Sequence, residues 1–124
     1  MSWINKPSSL SKGKFTEEFA KQYLIQQGLV FIDSNFHSRQ GEIDLIMKDG
    51  QVFVFIEVKY RKNNLFGGAV SAVSQLKQKK IKHCVAFFLQ KINLNEYNTP
   101  CRFDVIALEG NINQPEVTWL KNAF

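Results

Sequence analysis

The sequence predicts a single α/β domain in which a mixed β-sheet is covered by helices on both faces. Three observations carry this expectation. Gly41 to Arg61 holds two apolar-rich runs on either side of Asp49-Gly50, a dipeptide suited to a tight hairpin turn. Both faces of that hairpin carry apolar residues, so both need cover. Two further stretches, one before the hairpin and one after it, repeat their apolar residues at helical spacing.

The elements follow in chain order. Residues 1–10 contain Pro7 and serines without periodicity and are expected as a flexible arm ahead of one domain spanning 11–124. From about Ser11, the spacing of Phe15, Phe19, Ala20, Tyr23 and Leu24 predicts a helix that Gly28 ends as a C-terminal cap. Leu29 to Phe36 reads as the first strand, followed by a polar segment up to Gln40 in which His37 is given no role. After the hairpin, Lys62 to Gly68 reads as a loop. A second helix over about Ala69 to Lys91 is expected to bury Val73, Leu76, Ile81, Val85, Phe88 and Leu89. Arg102 to Leu108 reads as a strand, and Val117 to Leu120 as a last strand paired with it across a turn at Gly110 to Pro115.

Composition bounds the function classes. A chain of 124 residues suffices for one domain with its own core, and a net charge of +5 permits a polyanionic partner. No apolar stretch is long enough to span a bilayer, and the N-terminus lacks the apolar core of a signal peptide. Cys84 and Cys101 have no metal-ligand spacing and are expected as two reduced thiols in a cytoplasmic protein with no membrane partner.

The chemistry concentrates in the hairpin. With Asp49-Gly50 as the loop, Lys48 pairs with Gln51, Ile46 with Phe53, Asp44 with Phe55 and Glu42 with Glu57. Glu42, Asp44, Glu57 and Lys59 then share one face, with Asp44 and Glu57 as diagonal neighbours, while Ile43, Leu45, Met47, Val54, Ile56 and Val58 share the other. Like charges crowded on a sheet face are destabilising. Their position at the rim of a covered sheet argues for a functional site over a solvated face. Carboxylates on neighbouring strands offer hard oxygen ligands suited to Mg²⁺ or Mn²⁺, and a lysine two residues after the glutamate can orient a water or neutralise charge on a phosphate. These parts suit hydrolysis of a phosphodiester. The plain structural alternative is a Glu57–Lys59 ion pair at a strand end. Lys77, Lys79, Lys80 and Lys82 form a basic run that serves either as a solvated helix face or as a phosphate contact. Arg39, Arg61, Lys77 and Lys80 are the candidate nucleic-acid contacts.

Gly41-Glu-Ile-Asp-Leu-Ile, Phe55-Ile-Glu-Val-Lys-Tyr-Arg and Arg102-Phe-Asp-Val resemble, in this order, the motifs of the bacterial YraN family. Its sequences are similar to the PD-(D/E)xK nucleases, which share the restriction-endonuclease-like fold with archaeal Holliday junction resolvases. The resemblance runs from about Lys12 to Leu108. It implies that Asp44 and Glu57 are metal ligands, that Lys59 is the catalytic lysine, and that Glu17 of the first helix is a further acidic ligand. Glu42 matches the family motif without being a standard ligand of the superfamily. Thr16 stands where the family usually has glycine, and Lys77-Gln-Lys-Lys-Ile replaces an arginine-rich segment, keeping charge but losing bidentate phosphate recognition. The implied activity is that of a Mg²⁺- or Mn²⁺-dependent endonuclease acting on DNA, with branched DNA and repair intermediates as candidate substrates. Because junction resolvases of this fold act as dimers, a homodimer is implied as well. Two other readings use the same residues: a nucleic-acid-binding module without turnover, and an interaction subunit that borrows the nuclease fold.

Overall fold

The computed structural model describes residues 9–63 and 73–124, with side chains from residue 13 onward, as two helices and five strands. In chain order these are α1 (Ser9–Gln26), β1 (Val30–His37), β2 (Glu42–Asp49), β3 (Val52–Arg61), α2 (Gln75–Lys91), β4 (Cys101–Glu109) and β5 (Glu116–Leu120). Of the expected arm at residues 1–10, residues 1–8 lie outside the described residues, as do the loop and helix start at residues 64–72, while Ser9 and Leu10 already belong to α1.

The five strands form one sheet in the order β1-β2-β3-β4-β5. Its pairs are antiparallel except β3 with β4, which run parallel. A parallel pair needs a long crossover, and α2 lies on that connection. Each helix covers one face. Ala20 and Leu24 of α1 pack on Leu45, Met47, Val54, Ile56, Ile106 and Leu108. Ile81, Cys84, Val85, Phe88 and Leu89 of α2 pack on Ile43, Ile46, Phe53 and Phe55. The protein is thus an α/β domain with a five-stranded mixed sheet flanked by two helices, compatible with the restriction-endonuclease-like fold. Among the described residues, no helix is long and apolar enough to cross a membrane. Cys84 and Cys101 are free thiols.

Local chemistry explains the helix ends. Gly28 takes φ +99, and the Leu29 amide donates to the Leu24 carbonyl (3.1 Å) while Gly28 donates to Ile25 (3.0 Å), the paired bonds of a left-handed helix stop. Leu29 then folds back, buried with Leu24. α2 begins six residues later than the periodicity predicts, because the Ser74 hydroxyl caps it by accepting from the Lys77 amide at 3.2 Å. The late start changes the buried stripe. Leu76 is 65% exposed rather than buried, and Val73 is buried ahead of the helix rather than within it.

The hairpin forms where expected, but its register is displaced by two residues. Asp49 pairs with Val52, Lys48 with Phe53, Met47 with Val54, Ile46 with Phe55 and Leu45 with Ile56. The two loop residues are therefore Gly50 and Gln51, with Gly50 at φ +62, as a turn with glycine first requires. Asp49 is left in the ladder, where its carboxylate accepts from Arg102 at 3.1 Å. A slide of two residues preserves the faces, whereas a slide of one would have inverted them. A second departure is at Ile43, which packs with Ile46 and Phe55 beneath α2 instead of with Leu45 and Met47. Strict alternation breaks at Asp44, the residue on which the site turns.

Candidate functional site

Asp44 lies where the β2–β3 ladder stops. The last pair is Leu45 with Ile56, and one step further the register would set Asp44 level with Glu57. There the Asp44 carboxylate accepts the Val58 amide at 2.8 Å, so a side chain satisfies a backbone donor the ladder leaves open. The hairpin thereby opens at its far end and presents Glu42, Asp44 and Glu57 to a common cleft.

Two helices complete the site. Glu17, one turn before the buried Ala20 on α1, brings its carboxylate to the same place. Oxygens of Glu17, Glu42 and Asp44 all lie within 4.8 Å of one another. Glu17 also hydrogen-bonds Asn35 and Asp44. From the opposite helix, Lys77 donates its ammonium to Glu57, whose side chain is only 9% exposed. Gly41, Glu42, Asp44, Glu57, Lys77 and Lys80 line one cleft of about 390 Å³. A Cβ on Gly41 would come within 3.3 Å of the Lys80 Cβ, so glycine is what lets α2 cross the start of β2 so closely.

The electrostatics match the crowding. Burial, then the Glu57 charge, pushes the Asp44 carboxyl up to about 8, with Glu17 and Glu42 adding to the rise. Glu17 is also raised, first by burial and then by Glu42 and Glu57, against the lowering effect of its hydrogen bonds to Asn35 and Asp44. Lys59 is held below the ordinary lysine range, first by burial, then by the Arg61 cation and by Lys77, with Glu57 opposing. A buried carboxyl such as Asp44, pushed up to about 8 by burial and the acidic groups around it, is what a divalent cation would relieve. Three or four hard oxygen donors at this spacing fit Mg²⁺ or Mn²⁺ by the chemistry of the donor set.

A stability consequence follows with a definite sign. Between about 4 and about 8, the folded chain holds an Asp44 proton that the unfolded chain has released. Stability in the absence of metal must therefore fall as pH rises through that window. Thermal melts of metal-free protein between pH 5 and pH 8 should show a declining Tm, with a shallower decline for Asp44→Asn. Parallel slopes for the two proteins would remove Asp44 as the source.

Of the residues singled out in the sequence, Asp44, Glu57 and Glu17 converge, and Lys59 lies within electrostatic reach of Glu57. Lys77 and Lys80 reach the cleft. Arg39 and Arg61 are exposed and line no described part of it, and the Arg61 guanidinium donates to the Tyr60 carbonyl at 2.7 Å. Two participants had no assigned role. Glu42 belongs to the carboxylate triad, and its signal was visible, since it shares a strand face with Asp44 two residues on. Asn35 sits mid-strand at φ +52 with its amide on Glu17, and no local signal distinguishes it from a loop asparagine.

The three motifs now occupy one fold: the hairpin supplies the site and β4 supports it through the parallel ladder with β3. Residues 16–108 match the model described as uncharacterised protein family UPF0102, the YraN family of the sequence resemblance. The chain belongs to this family. A UPF0102 protein of Colwellia psychrerythraea is 64% identical over the whole of both chains. One from Aliivibrio fischeri is 44% identical over 96% of this chain and 95% of its own, and one from Legionella pneumophila is 44% identical over 91% and 93%. The matched span of the family model includes Glu17, the entire hairpin, Lys77, Lys80 and β4 up to Leu108.

Proposed function

We propose that this UPF0102 protein is a metal-dependent endonuclease that hydrolyses phosphodiester bonds in DNA, with branched DNA and repair intermediates as its substrates. The observation that carries the reading is the convergence of Glu17, Glu42 and Asp44 beside the buried Glu57, with Lys77 paired to Glu57 and Lys59 within its electrostatic reach. A Mg²⁺ or Mn²⁺ ion bound there would supply Lewis acidity toward a phosphate oxygen and its bound water. Asp44 and Glu57 would hold it, with Glu17 and Glu42 in reach.

The chain's own residues do the rest. Lys59, two residues after Glu57 on β3, orients the attacking water and offsets charge gathering on the phosphate. Lys80 and Lys77, across the cleft on α2, meet the flanking phosphate, and Arg39 and Arg61 extend the basic surface beyond it. A single domain of this size has little surface with which to grip a duplex symmetrically, so the protein is proposed to act as a homodimer, as the junction resolvases it resembles do. The Lys77–Glu57 pair favours a second reading, a nucleic-acid-binding module without turnover, should the pair persist in the presence of metal.

Calorimetric titration with Mn²⁺ should show binding to the intact chain that Asp44→Ala abolishes. Mn²⁺-dependent cleavage should appear in a screen of linear, flapped and four-way DNA. A chain that neither binds Mn²⁺ nor cuts any of these substrates would end the nuclease reading.

A further inference from the structure

Glu57 already holds a cation, the ammonium of Lys77. The pairing has a clear cause on each side. Glu57 is nearly buried, and a buried carboxylate without a counter-charge is strongly unfavourable. Lys77 is the third residue of α2, whose first turn contains no acidic residue. The start of a helix carries partial positive charge, so a lysine there is placed against the dipole unless an anion comes from elsewhere. Glu57 supplies that anion from β3. The lysine is half-exposed at 52%, and its flexible stem lets the ammonium swing without movement of the helix. Lys80, one turn on, lines the same cleft.

The carboxylate that Lys77 occupies is one of the two that the nuclease reading gives to the metal. A divalent ion at Glu57 would draw its oxygens and repel the ammonium beside them. The displaced lysine and the start of α2 would then need a new anion, and the anion that enters this cleft with substrate is a phosphate. We propose that Lys77 and the divalent cation exchange at Glu57, so that metal entry releases Lys77 to a nucleic-acid phosphate and the two ligands bind with positive coupling carried by this one side chain. The inference rests on the reading of Glu57 as a metal ligand in the proposed nuclease site. Because coupling is reciprocal, nucleic acid must tighten the metal by the same factor as the metal tightens nucleic acid.

Binding of a labelled four-way DNA to the full chain, measured by fluorescence anisotropy with and without Ca²⁺, tests the coupling without requiring cleavage. Ca²⁺ should tighten the wild-type complex by about tenfold, within the usual range of such couplings. In Lys77→Met the tightening should fall below about threefold, and its Mn²⁺ affinity without DNA should rise several-fold because the competing ammonium is gone. Lys77→Arg, which keeps the charge, should retain most of the wild-type enhancement. Equal enhancement in wild type and Lys77→Met would overturn the exchange. Should Lys77→Met fail to fold, the wild-type chain still decides. Its Lys77 ammonium resonance, assigned by its loss in Lys77→Arg, should move on Ca²⁺ saturation without DNA, and a resonance that stays in place overturns the proposal. The two failures differ in form. A wild-type chain that binds no divalent ion ends the metal reading and the exchange together, whereas one that binds the ion with Lys77 unmoved ends the exchange alone.

Discussion

Asp104→Ala should lower the stability of this protein by about 3–5 kcal/mol, the usual cost of removing one partner from a buried ion pair. Asp104 is fully buried on β4, and every oxygen position is taken. Oδ1 accepts from the Arg102 Nε at 3.0 Å and from the Asn122 amide at 3.0 Å. Oδ2 accepts from the Trp119 Nε1 at 2.8 Å and from the Arg102 Nη2 at 3.1 Å. Arg102 reaches on to Asp49 at the hairpin turn, at 3.1 Å. One carboxylate thus ties β4 to β5 and, through a guanidinium whose side chain is only 16% exposed, to the end of the β2–β3 hairpin. Alanine would leave the Arg102 charge, the Trp119 N–H and the Asn122 N–H short of acceptors in a low-dielectric interior, which is why the loss exceeds that of the hydrogen bonds alone. Asp104→Asn keeps the shape but turns one acceptor into a donor facing other donors, and should fall between wild type and alanine. Urea denaturation followed by tryptophan fluorescence reads the change as a lower midpoint at similar slope. A loss under about 1 kcal/mol would mean that the network is replaceable by water.

Lys59→Met should reduce Mn²⁺-dependent DNA cleavage by a factor on the order of a hundred, the scale for losing one positioned catalytic group, while leaving DNA affinity close to wild type. The split follows from the proposed role. Lys59 acts on the attacking water and on charge that develops as the phosphodiester breaks, and only interactions strengthened in the transition state accelerate the chemical step. Methionine retains the aliphatic stem, so packing along β3 is kept. The alternatives give other signatures. As a phosphate contact in a binding module, Lys59 would cost affinity modestly and have no cleavage to lose. As a structural partner of Glu57, it would lower the melting temperature and leave DNA binding alone. Melting temperature, DNA affinity and cleavage measured on the one variant separate the three, and cleavage that survives in Lys59→Met removes this lysine from the mechanism.

The elements themselves were legible in the sequence wherever local chemistry sets them. Gly28 ends α1 because a left-handed stop favours a residue without a side chain. The hairpin is announced by apolar runs around Asp49-Gly50, and its two apolar faces require the two covering helices that the structure contains. The candidate site was legible as far as strand parity reaches: Glu42, Asp44, Glu57 and Lys59 are spaced by even steps, and even steps survive a two-residue slip of register. Glu17 came into view only through family resemblance, since for a helix expected to begin near Ser11 the dipole explains an early glutamate better; α1 begins at Ser9, which leaves no acidic residue in its first turn.

What the sequence by itself determined, then, was the set of elements, their faces and the carboxylates that could meet at the sheet's rim, because periodicity and turn chemistry are properties of neighbouring residues. Tertiary structure decided the rest through contacts between residues far apart in the chain. Arg102 binds Asp49, which stays in the ladder while Gly50 and Gln51 form the loop. The Asp44 carboxylate takes the Val58 amide, and strict alternation gives way there, leaving Ile43 under α2. Lys77, at the start of α2, is drawn to the buried Glu57 of β3 instead of to solvent. Each outcome depends on a partner 14 to 53 positions away, chosen by burial and charge once the sheet has closed, and no local pattern in the chain encodes that choice.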